Sequence, residues 1–259
     1  MKVLVLMKQT FDTEAKINLT SDGKIDDTGV NLVVNPYCEF AVEEGIRIKE
    51  KLGSGEVTVL SVGTEKAETA IRQCLAMGAD KGALVNIGDL DLDEPSTALI
   101  LSKAIEKFEY DIILAGFQAV DDGSAQVGPR FAQLAGLPHV TVVTKIDLEG
   151  GKAVATREID DGVEIIEVPL PAVFTAQQGL AEPRYPSMKG IMQAKKKPLD
   201  RFSLEDIGLD KDIVQEAIKT SIVKYSLPDA RKGGRIIDGE PAEAATKVVQ
   251  LLRSEAKVI

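Results

Sequence analysis

Val3-Leu4-Val5-Leu6-Met7 is an unbroken run of apolar residues near the start of the chain. A strand that is buried on both faces of a parallel sheet is apolar throughout, whereas a half-exposed strand alternates apolar and polar residues. Similar runs follow at 55–63, 81–86 and 111–116, and the first of these is bounded by glycines. The four runs therefore predict buried strands of one parallel sheet.

Segments with apolar residues at helical spacing separate these runs. They extend over 36–52, 64–77 and 95–108. Pro36 suits the first turn of a helix, and Gly78 suits the residue that follows one. Strands that alternate with helices are typical of a doubly wound α/β fold. We predict a doubly wound, mostly parallel, Rossmann-like sheet with helices on both faces.

The pattern changes after Pro138. Strand-like segments at 140–148, 152–158 and 162–168 are separated by glycine-containing turns, which predicts a β-hairpin extension. One more buried strand is expected at 171–176. The sheet, the hairpins and this strand make up the first part of the chain.

We divide the chain into an α/β domain at 1–200 and a C-terminal arm at 201–259. The domain includes an irregular loop at 182–198. The arm holds a short helix, a strand-like stretch at 220–225 and a final helix from Pro241 to about Arg253. It has few large apolar residues, so we expect it to pack on a partner rather than form its own core.

The composition excludes several classes of protein. Lys and Arg number 31 against 41 Asp and Glu, a net charge of −10. Such acidity disfavours a nucleic-acid binder, which needs excess cations to release phosphate counterions. It does not exclude a single phosphorylated ligand held by backbone amides. Aromatic residues are only 4% of the chain and tryptophan is absent, so a platform for stacked bases is not expected.

We expect a cytoplasmic protein that is not embedded in a membrane. No apolar run reaches the roughly 18 residues that span a bilayer, and no signal-peptide cleavage site follows the first strand. Cys38 and Cys74 fit neither a metal motif nor a disulfide framework. His139 lacks a nearby nucleophile signature and is expected to be structural.

Residues 116–129 form the strongest candidate site. They follow a buried strand and open a helix expected near Ser124. Small residues let backbone N–H groups approach a phosphate, and the helix dipole favours an anion there. The alternative is an ordinary cap by Asp121, Asp122 or Ser124, because neither a P-loop nor a GxGxxG motif is present.

Two further segments are candidate binding sites, and each also has a purely structural interpretation. In Asn35-Pro36-Tyr37-Cys38, Asn35 can cap a helix while Tyr37 faces a ligand, or Tyr37 packs and Cys38 is a buried small hydrophobe. In 188–197, Met188, Ile191 and Met192 precede Lys195-Lys196-Lys197. Apolar anchors beside positive charge suit a transient docking site, whereas a lysine run alone is usually a solvated surface.

Residues 180–197, LAEPRYPSMKGIMQAKKK, closely resemble the signature of the electron transfer flavoprotein β subunit. Further segments resemble that family in the same order along the chain, at 3–8, 35–38 with 41–44, 76–80 and 116–129. The resemblance spans essentially the whole chain.

This resemblance implies a heterodimer with an α subunit that holds most of an FAD. Electrons would arrive from flavoprotein dehydrogenases, notably acyl-CoA dehydrogenases of fatty acid β-oxidation, and leave towards a quinone oxidoreductase. It implies an electron carrier rather than an enzyme by itself, without a catalytic residue or a metal. In the commonest form the β subunit also holds a structural AMP.

The resemblance also implies roles for individual residues. Those that would bind cofactor are Leu6, Asn35, Pro36, Tyr37, Cys38, Val62, Gly116, Gln118, Asp121, Ser124, Gln126, Val127 and Gly128. Those that would dock a dehydrogenase are Met188, Ile191, Met192, Lys195 and Lys196. Met188 matches an apolar anchor, usually leucine, and Tyr37 matches an aromatic residue that also nears the flavin. Glu164 falls near a position that influences the α subunit's mobile flavin domain.

The candidate site mixes two patterns found in this family. Asp121-Asp122 resembles members that bind AMP, whereas 125–129 resembles members that hold a second FAD there, oxidise NADH and bifurcate electrons. Residues 184–197 are closer to the ordinary carriers, which favours AMP. A third alternative is a nucleotide sensor of the universal-stress type. It shares the fold but leaves 184–197 and the arm unexplained.

Overall fold

The computed structural model describes residues 1–229 and 233–259. Its strands are β1 Lys2–Met7, β2 Gln9–Phe11, β3 Asn18–Leu19, β4 Ile25–Asp26, β5 Leu32–Val34, β6 Glu56–Gly63, β7 Lys81–Asn86, β8 Ile112–Gly116, β9 His139–Glu149, β10 Lys152–Ile159, β11 Gly162–Pro169, β12 Val173–Ala176 and β13 Leu199–Phe202. Its α-helices are α1 Pro36–Leu52, α2 Glu68–Met77, α3 Glu94–Ala104, α4 Val127–Ala135, α5 Met188–Ala194, α6 Lys211–Ala217 and α7 Pro241–Leu251.

A nine-stranded sheet organises the fold, in the order β11-β10-β9-β12-β8-β1-β6-β7-β13. The pairs are parallel from β9 through to β13, while β9–β10 and β10–β11 are antiparallel. The chain winds outward from β1 in both directions, so the strand order reverses between β1 and β8. Ligands of open α/β sheets bind at this reversal, beyond the carboxyl ends of the strands.

Helices cover both faces of the sheet, as predicted. Val3 and Val5 of β1 pack in one core cluster with residues of α1 and α2. Leu4 and Leu6 point to the other face and pack with residues of α3 and α4, including the fully buried Phe131. Burial on both faces explains why β1 is apolar at every position from Val3 to Met7. The predicted hairpins and the strand at 171–176 are also confirmed, as β9–β11 and β12.

Three details differ from the sequence-based predictions. Helix α4 begins at Val127 rather than near Ser124, and no side chain caps it. Capping by Asp121, Asp122 or Ser124 is therefore wrong. Within the segment expected to be irregular, residues 188–194 form α5, whose N-terminus is capped by the hydroxyl of Ser187. Residues 220–225 form no strand.

The described residues separate into two compact units, Met1–Ile17 with Asp26–Val223, and Asn18–Ile25 with Lys224–Ile259. The expected boundary at residue 200 falls inside β13, which pairs with β7. The apolar residues that follow β13 belong to the core of the first unit: Leu204, Ile207, Leu209 and Val214. These residues supply the apolar surface that holds this segment against the sheet.

The second unit contains helix α7, whose Val248 and Val249 are exposed. Residues 230–232 of the expected arm lie outside the described residues. Packing of the arm on an α subunit stays a prediction. Among the residues that the structure describes, no helix is both long and apolar enough to cross a membrane.

Glu44 is an acidic residue buried within α1. Burial raises the pKa of its carboxyl from 4.5 to about 7, although Arg47, at 3.5 Å, lowers it. The folded chain therefore holds a proton on Glu44 that the unfolded chain releases between about pH 4.5 and 7. Because the folded state binds this proton more tightly, its contribution to stability falls as pH rises through that window.

We expect Glu44→Gln to raise the free energy of unfolding relative to the unsubstituted chain at about pH 8, and to change it little at about pH 4. Glutamine removes the charge that burial disfavours. Urea unfolding at both pH values measures this difference. Glu14→Gln, which alters an exposed carboxyl, is the control. Equal pH dependence in the two variants would refute the assignment.

Candidate functional site

A cavity of about 550 Å³ lies at the carboxyl ends of β1, β6, β7 and β8, beside the reversal of strand order. Its volume falls within the range of about 300–1,000 Å³ typical of small-molecule sites. Most of the predicted cofactor residues line it: Leu6, Asn35, Cys38, Val62, Gly116, Gln118, Ser124, Gln126, Val127 and Gly128. The fold thus brings together residues from four separate segments of the chain.

Pro36, Tyr37 and Asp121 do not line this cavity. Pro36 occupies the first turn of α1. The Tyr37 ring packs edge-on against Phe117, with centroids 5.8 Å apart, and its hydroxyl accepts a hydrogen bond of 3.4 Å from Gln118 Nε2. Asp121 lines a separate open groove. Tyr37 is therefore braced next to the cavity without being part of its wall.

Two parts of the wall were not predicted. One is the segment after β7 together with the start of α3, with Ile87, Leu90, Asp91, Leu92, Asp93, Glu94, Thr97 and Leu101. It follows the third buried strand, so it lies at the carboxyl end of a parallel strand, where ligands of such sheets bind. The other is the stretch Thr220, Ser221 and Ile222. Its residues carry no sequence pattern that points to a ligand.

The buried side chain of Asn35 joins the two predicted loops. It is 1% exposed, its Nδ2 donates to the Gln118 carbonyl at 2.7 Å, and its Oδ1 accepts from the Val120 N–H at 3.1 Å. Its Nδ2 also lies 3.3 Å from Cys38 Sγ. Asn35 stands at the N-cap position of α1 but makes no capping hydrogen bond. The expectation that Asn35 caps the helix is wrong, because its side-chain amide instead forms hydrogen bonds with the loop after β8.

Two glycines of the site are required by packing. A Cβ at Gly116 would lie 2.9 Å from the backbone nitrogen of Cys38, so glycine lets the start of α1 approach β8. A Cβ at Gly128 would lie 2.7 Å from the methyl group of Thr175. Between them, Ala125 has φ 55°, in the left-handed region that costs a non-glycine residue of order 1 kcal/mol. Such strain is found where binding loops are held in a set conformation.

Lys8 forms a charged cluster with two aspartates at the cavity. Its Nζ donates to Asp122 at 2.7 Å and to Asp121 at 2.9 Å. Burial lowers the pKa of Lys8, but these hydrogen bonds outweigh it and the net pKa is raised. Burial raises the pKa of Asp122, yet hydrogen bonds from Lys8 and the Ser124 N–H bring it below its usual value. Lys8 and Asp122 therefore both stay charged at neutral pH.

The start of α4 is arranged to receive an anion. Gln126 holds the N-cap position without capping, because its Oε1 accepts two hydrogen bonds from Arg130, at 2.8 and 3.0 Å. The N–H groups of a first helical turn have no partner within the helix. Those of Val127 and Gly128 belong to residues that line the cavity. Together with the helix dipole they can bind a phosphate.

A second candidate site is the docking surface, which we define as Tyr185, Met188, Ile191, Met192, Lys195 and Lys196. Met188, Ile191 and Met192 on α5 are 79%, 45% and 69% exposed. The opposite face of α5 lies directly on α2, since a Cβ at Gly190 would be 2.5 Å from the Ala76 carbonyl. Three neighbouring apolar side chains thus face solvent from a helix that is packed tightly beneath.

Arginine and lysine side chains hold both ends of this surface against the rest of the domain. The Arg184 guanidinium binds the carboxylates of Glu43 and Glu50 on α1 at 2.6–3.1 Å. Arg72 NH1 donates to the carbonyls of Ala194 and Lys197, both at 2.8 Å. Lys197 Nζ in turn donates to two carbonyls at the end of α2. Lys197 is therefore structural, whereas Lys195 and Lys196 are exposed.

The two cysteines and the one histidine are not placed for catalysis, because the cysteines are buried and the histidine lies outside the cavity. Cys38 and Cys74 are free and buried, and burial raises the pKa of both thiols, which disfavours the reactive thiolate. His139 is exposed at the start of β9 and does not line the cavity. In the described part of the chain, no group of three or more His, Cys, Asp or Glu side chains is placed to hold a metal.

The parallel sheet, the cavity at the reversal of strand order and the open start of α4 define a Rossmann-like α/β protein with a switch-point ligand site. The family model described as electron transfer flavoprotein domain matches residues 22–207. The electron transfer flavoprotein subunit beta of Bacillus subtilis is 48% identical over 262 residues, covering 100% of both chains.

Two further relatives carry the same name. The protein of Syntrophomonas wolfei is 49% identical over 258 residues, covering 100% of this chain and 98% of its own. The human protein is 38% identical over 239 residues, covering 90% and 91%. The chain therefore belongs to the family of electron transfer flavoprotein β subunits, which confirms the resemblance found in its sequence.

We expect Asn35→Ala to lower the free energy of unfolding by about 2–4 kcal/mol, because it leaves the Gln118 carbonyl and the Val120 N–H without their partner. Urea unfolding measures the loss, and amide exchange at Val120 should accelerate. The control is Asn31→Ala, which removes an exposed amide 3.3 Å from Asp12 and should cost less than about 0.5 kcal/mol. Similar losses in both variants would contradict the role given to Asn35.

Proposed function

We propose that the chain is the β subunit of a heterodimer with an electron transfer flavoprotein α subunit. In this proposal it accepts electrons from acyl-CoA dehydrogenases or related flavoproteins, through an FAD held mostly by the α subunit, and passes them to a quinone-reducing partner. It is a carrier rather than an enzyme by itself, and its free thiols suit a reducing compartment such as the cytoplasm. The observation that carries the proposal is the docking surface, together with family membership.

The docking surface suits a transient electron-transfer complex. Its apolar anchors are already held in place by Gly190, Arg72 and Arg184, so docking loses little conformational entropy. Methionine side chains adapt to partners of different shape, which suits a carrier that serves more than one dehydrogenase. Lys195 and Lys196 can steer an acidic partner towards these anchors.

The cavity residues fit an AMP. Leu6 and Val62 offer apolar surface for an adenine ring, and the N–H groups at the start of α4 can hold a phosphate. The ionised Asp122 carboxylate also lines the cavity. It is paired with Lys8, which lines the cavity too. The Asp121-Asp122 pair, which resembles family members that bind AMP, supports AMP over a second FAD.

The position of Tyr37 supports a flavin site that is separate from the cavity proposed for AMP. Tyr37 stands at the first turn of α1, outside the cavity wall, and is braced by Phe40 and Phe117. We propose that its ring contacts the FAD shared with the α subunit, while the cavity holds AMP. The FAD supplies the redox chemistry when it is bound, and the residues of this chain orient it and exclude water. The influence of Glu164 on flavin-domain motion remains part of the same proposal.

We expect one FAD and one AMP for each heterodimer when the protein is purified with its α subunit and denatured. Chromatography of the released nucleotides, standardised by protein concentration, measures this ratio. Residues 125–129 favour the alternative, a bifurcating subunit. Two FADs per heterodimer together with NADH oxidation would establish that function and overturn the AMP proposal.

We expect Met188→Ala to raise the KM of an acyl-CoA dehydrogenase for the heterodimer about 10-fold, because it removes a central apolar anchor. Flavin content should not change, since Met188 lies outside the cavity wall. The matched control is Leu134→Ala, which deletes an exposed apolar side chain from α4. An unchanged KM for Met188→Ala, or loss of flavin with normal docking, would contradict this role.

A further inference from the structure

Residues 219–222, which we name the strap, follow α6 and form one wall of the cavity through Thr220, Ser221 and Ile222. All of its residues are exposed, and Ile222 is 59% exposed. The other walls come from strand ends, from helices, from the segment after β7 and from the loop that Asn35 and Lys8 hold in place. The strap is therefore the least embedded part of the cavity wall.

A single carboxylate holds the strap. Asp93 Oδ2 accepts hydrogen bonds from the Lys219 N–H at 2.6 Å, the Thr220 N–H at 2.9 Å and the Thr220 hydroxyl at 3.2 Å. Among the described residues, every hydrogen bond that ties the strap to a distant part of the chain ends on Asp93. A latch made by one residue can open without unfolding the sheet, as expected for a segment with few contacts.

The other oxygen of Asp93 has a separate task. Oδ1 accepts from the N–H of Ser96 at 3.1 Å and from its hydroxyl at 2.8 Å, which forms the capping box of α3. Burial raises the pKa of Asp93, but hydrogen bonds from Lys219, Ser96 and Thr220 bring it down to about 2. The carboxylate is thus ionised throughout the neutral range. Its two oxygens join the start of α3 to the strap.

We propose that the strap is a gate over the nucleotide cavity, that Asp93 is the positioning residue that latches it, and that an adenine nucleotide leaves only when this latch opens. The proposal rests on the proposed function, because it takes the cavity to hold a nucleotide. Lids of this kind control the entry and release of ligands on other folds. Here the latch is a set of charge-assisted hydrogen bonds to backbone N–H groups, which are stronger than neutral ones.

Asp93→Asn separates the two tasks of this residue. Asparagine caps helices as well as aspartate does, so its oxygen can keep the bond to Ser96. Its NH₂ group then faces the N–H groups of Lys219 and Thr220. Because both sides are hydrogen-bond donors, no hydrogen bond can form there and the latch is lost. Ser96→Ala is the matched control, because it weakens the capping box and leaves the oxygen that holds the strap untouched. Thr220→Val removes only the hydroxyl bond.

The experiment uses the heterodimer purified with its α subunit and loaded with the fluorescent analogue etheno-AMP. We expect Asp93→Asn to release this probe about 10-fold faster on a chase with excess AMP, since charge-assisted bonds are lost. Thr220→Val should give a smaller increase and Ser96→Ala none. Hydrogen exchange at the Lys219 and Thr220 amides should accelerate most in Asp93→Asn, slightly in Thr220→Val and not in Ser96→Ala.

Each other outcome overturns a definite part of the proposal. Faster amide exchange with unchanged release would mean that Asp93 holds the strap but the strap is no gate. Equal release from Ser96→Ala and Asp93→Asn would assign the effect to the cap of α3. Unchanged amide exchange would refute the latch. An unsubstituted heterodimer that takes up no etheno-AMP would remove the nucleotide site itself, and the gate with it.

Discussion

The hydrogen bonds of the Asn35 amide are the interaction on which the candidate site depends. They join the start of α1 to the loop after β8 across the reversal of strand order, where two segments far apart in sequence meet. Gly116 makes this approach sterically feasible, and Lys8 fixes the far end of the loop through its two aspartates. Without the amide, two backbone groups of this loop would lose their partners, and the cavity wall would lose this support.

Helix α1 connects the cavity to the docking surface. Asn35 and Tyr37 stand at its start, and Glu43 and Glu50 further along it hold Arg184. A 17-residue helix is about 25 Å long and is stiff on the scale of this domain. One element therefore sets the distance between the cavity and the docking surface. In an electron carrier, such rigidity would keep the donor and the flavin at a reproducible separation.

Several elements were predictable because their patterns are local. The apolar runs of β1, β6, β7 and β8 follow from burial on both faces, and the helices between them follow from their periodicity. Helix α5 was missed because Pro183, Pro186 and Gly190 are typical of a loop. Gly190 is present because α5 lies against the Ala76 carbonyl, a contact between two helices that no local pattern encodes. The later start of α4 likewise reflects the tertiary bonds of Asp121 and Asp122 to Lys8.

The sequence by itself determined the parallel sheet, the strand ends that carry the site, the family and the apolar anchors of the docking segment. The tertiary structure alone decided that Lys197 is structural, that β13 extends the sheet and that the strap returns to the cavity. Asp93 and Lys219 are 126 positions apart. Local features can be predicted because the periodicity of apolar residues depends only on how one segment is buried. A hydrogen bond between distant segments cannot be predicted in this way, because it exists only after the core has brought the two segments together.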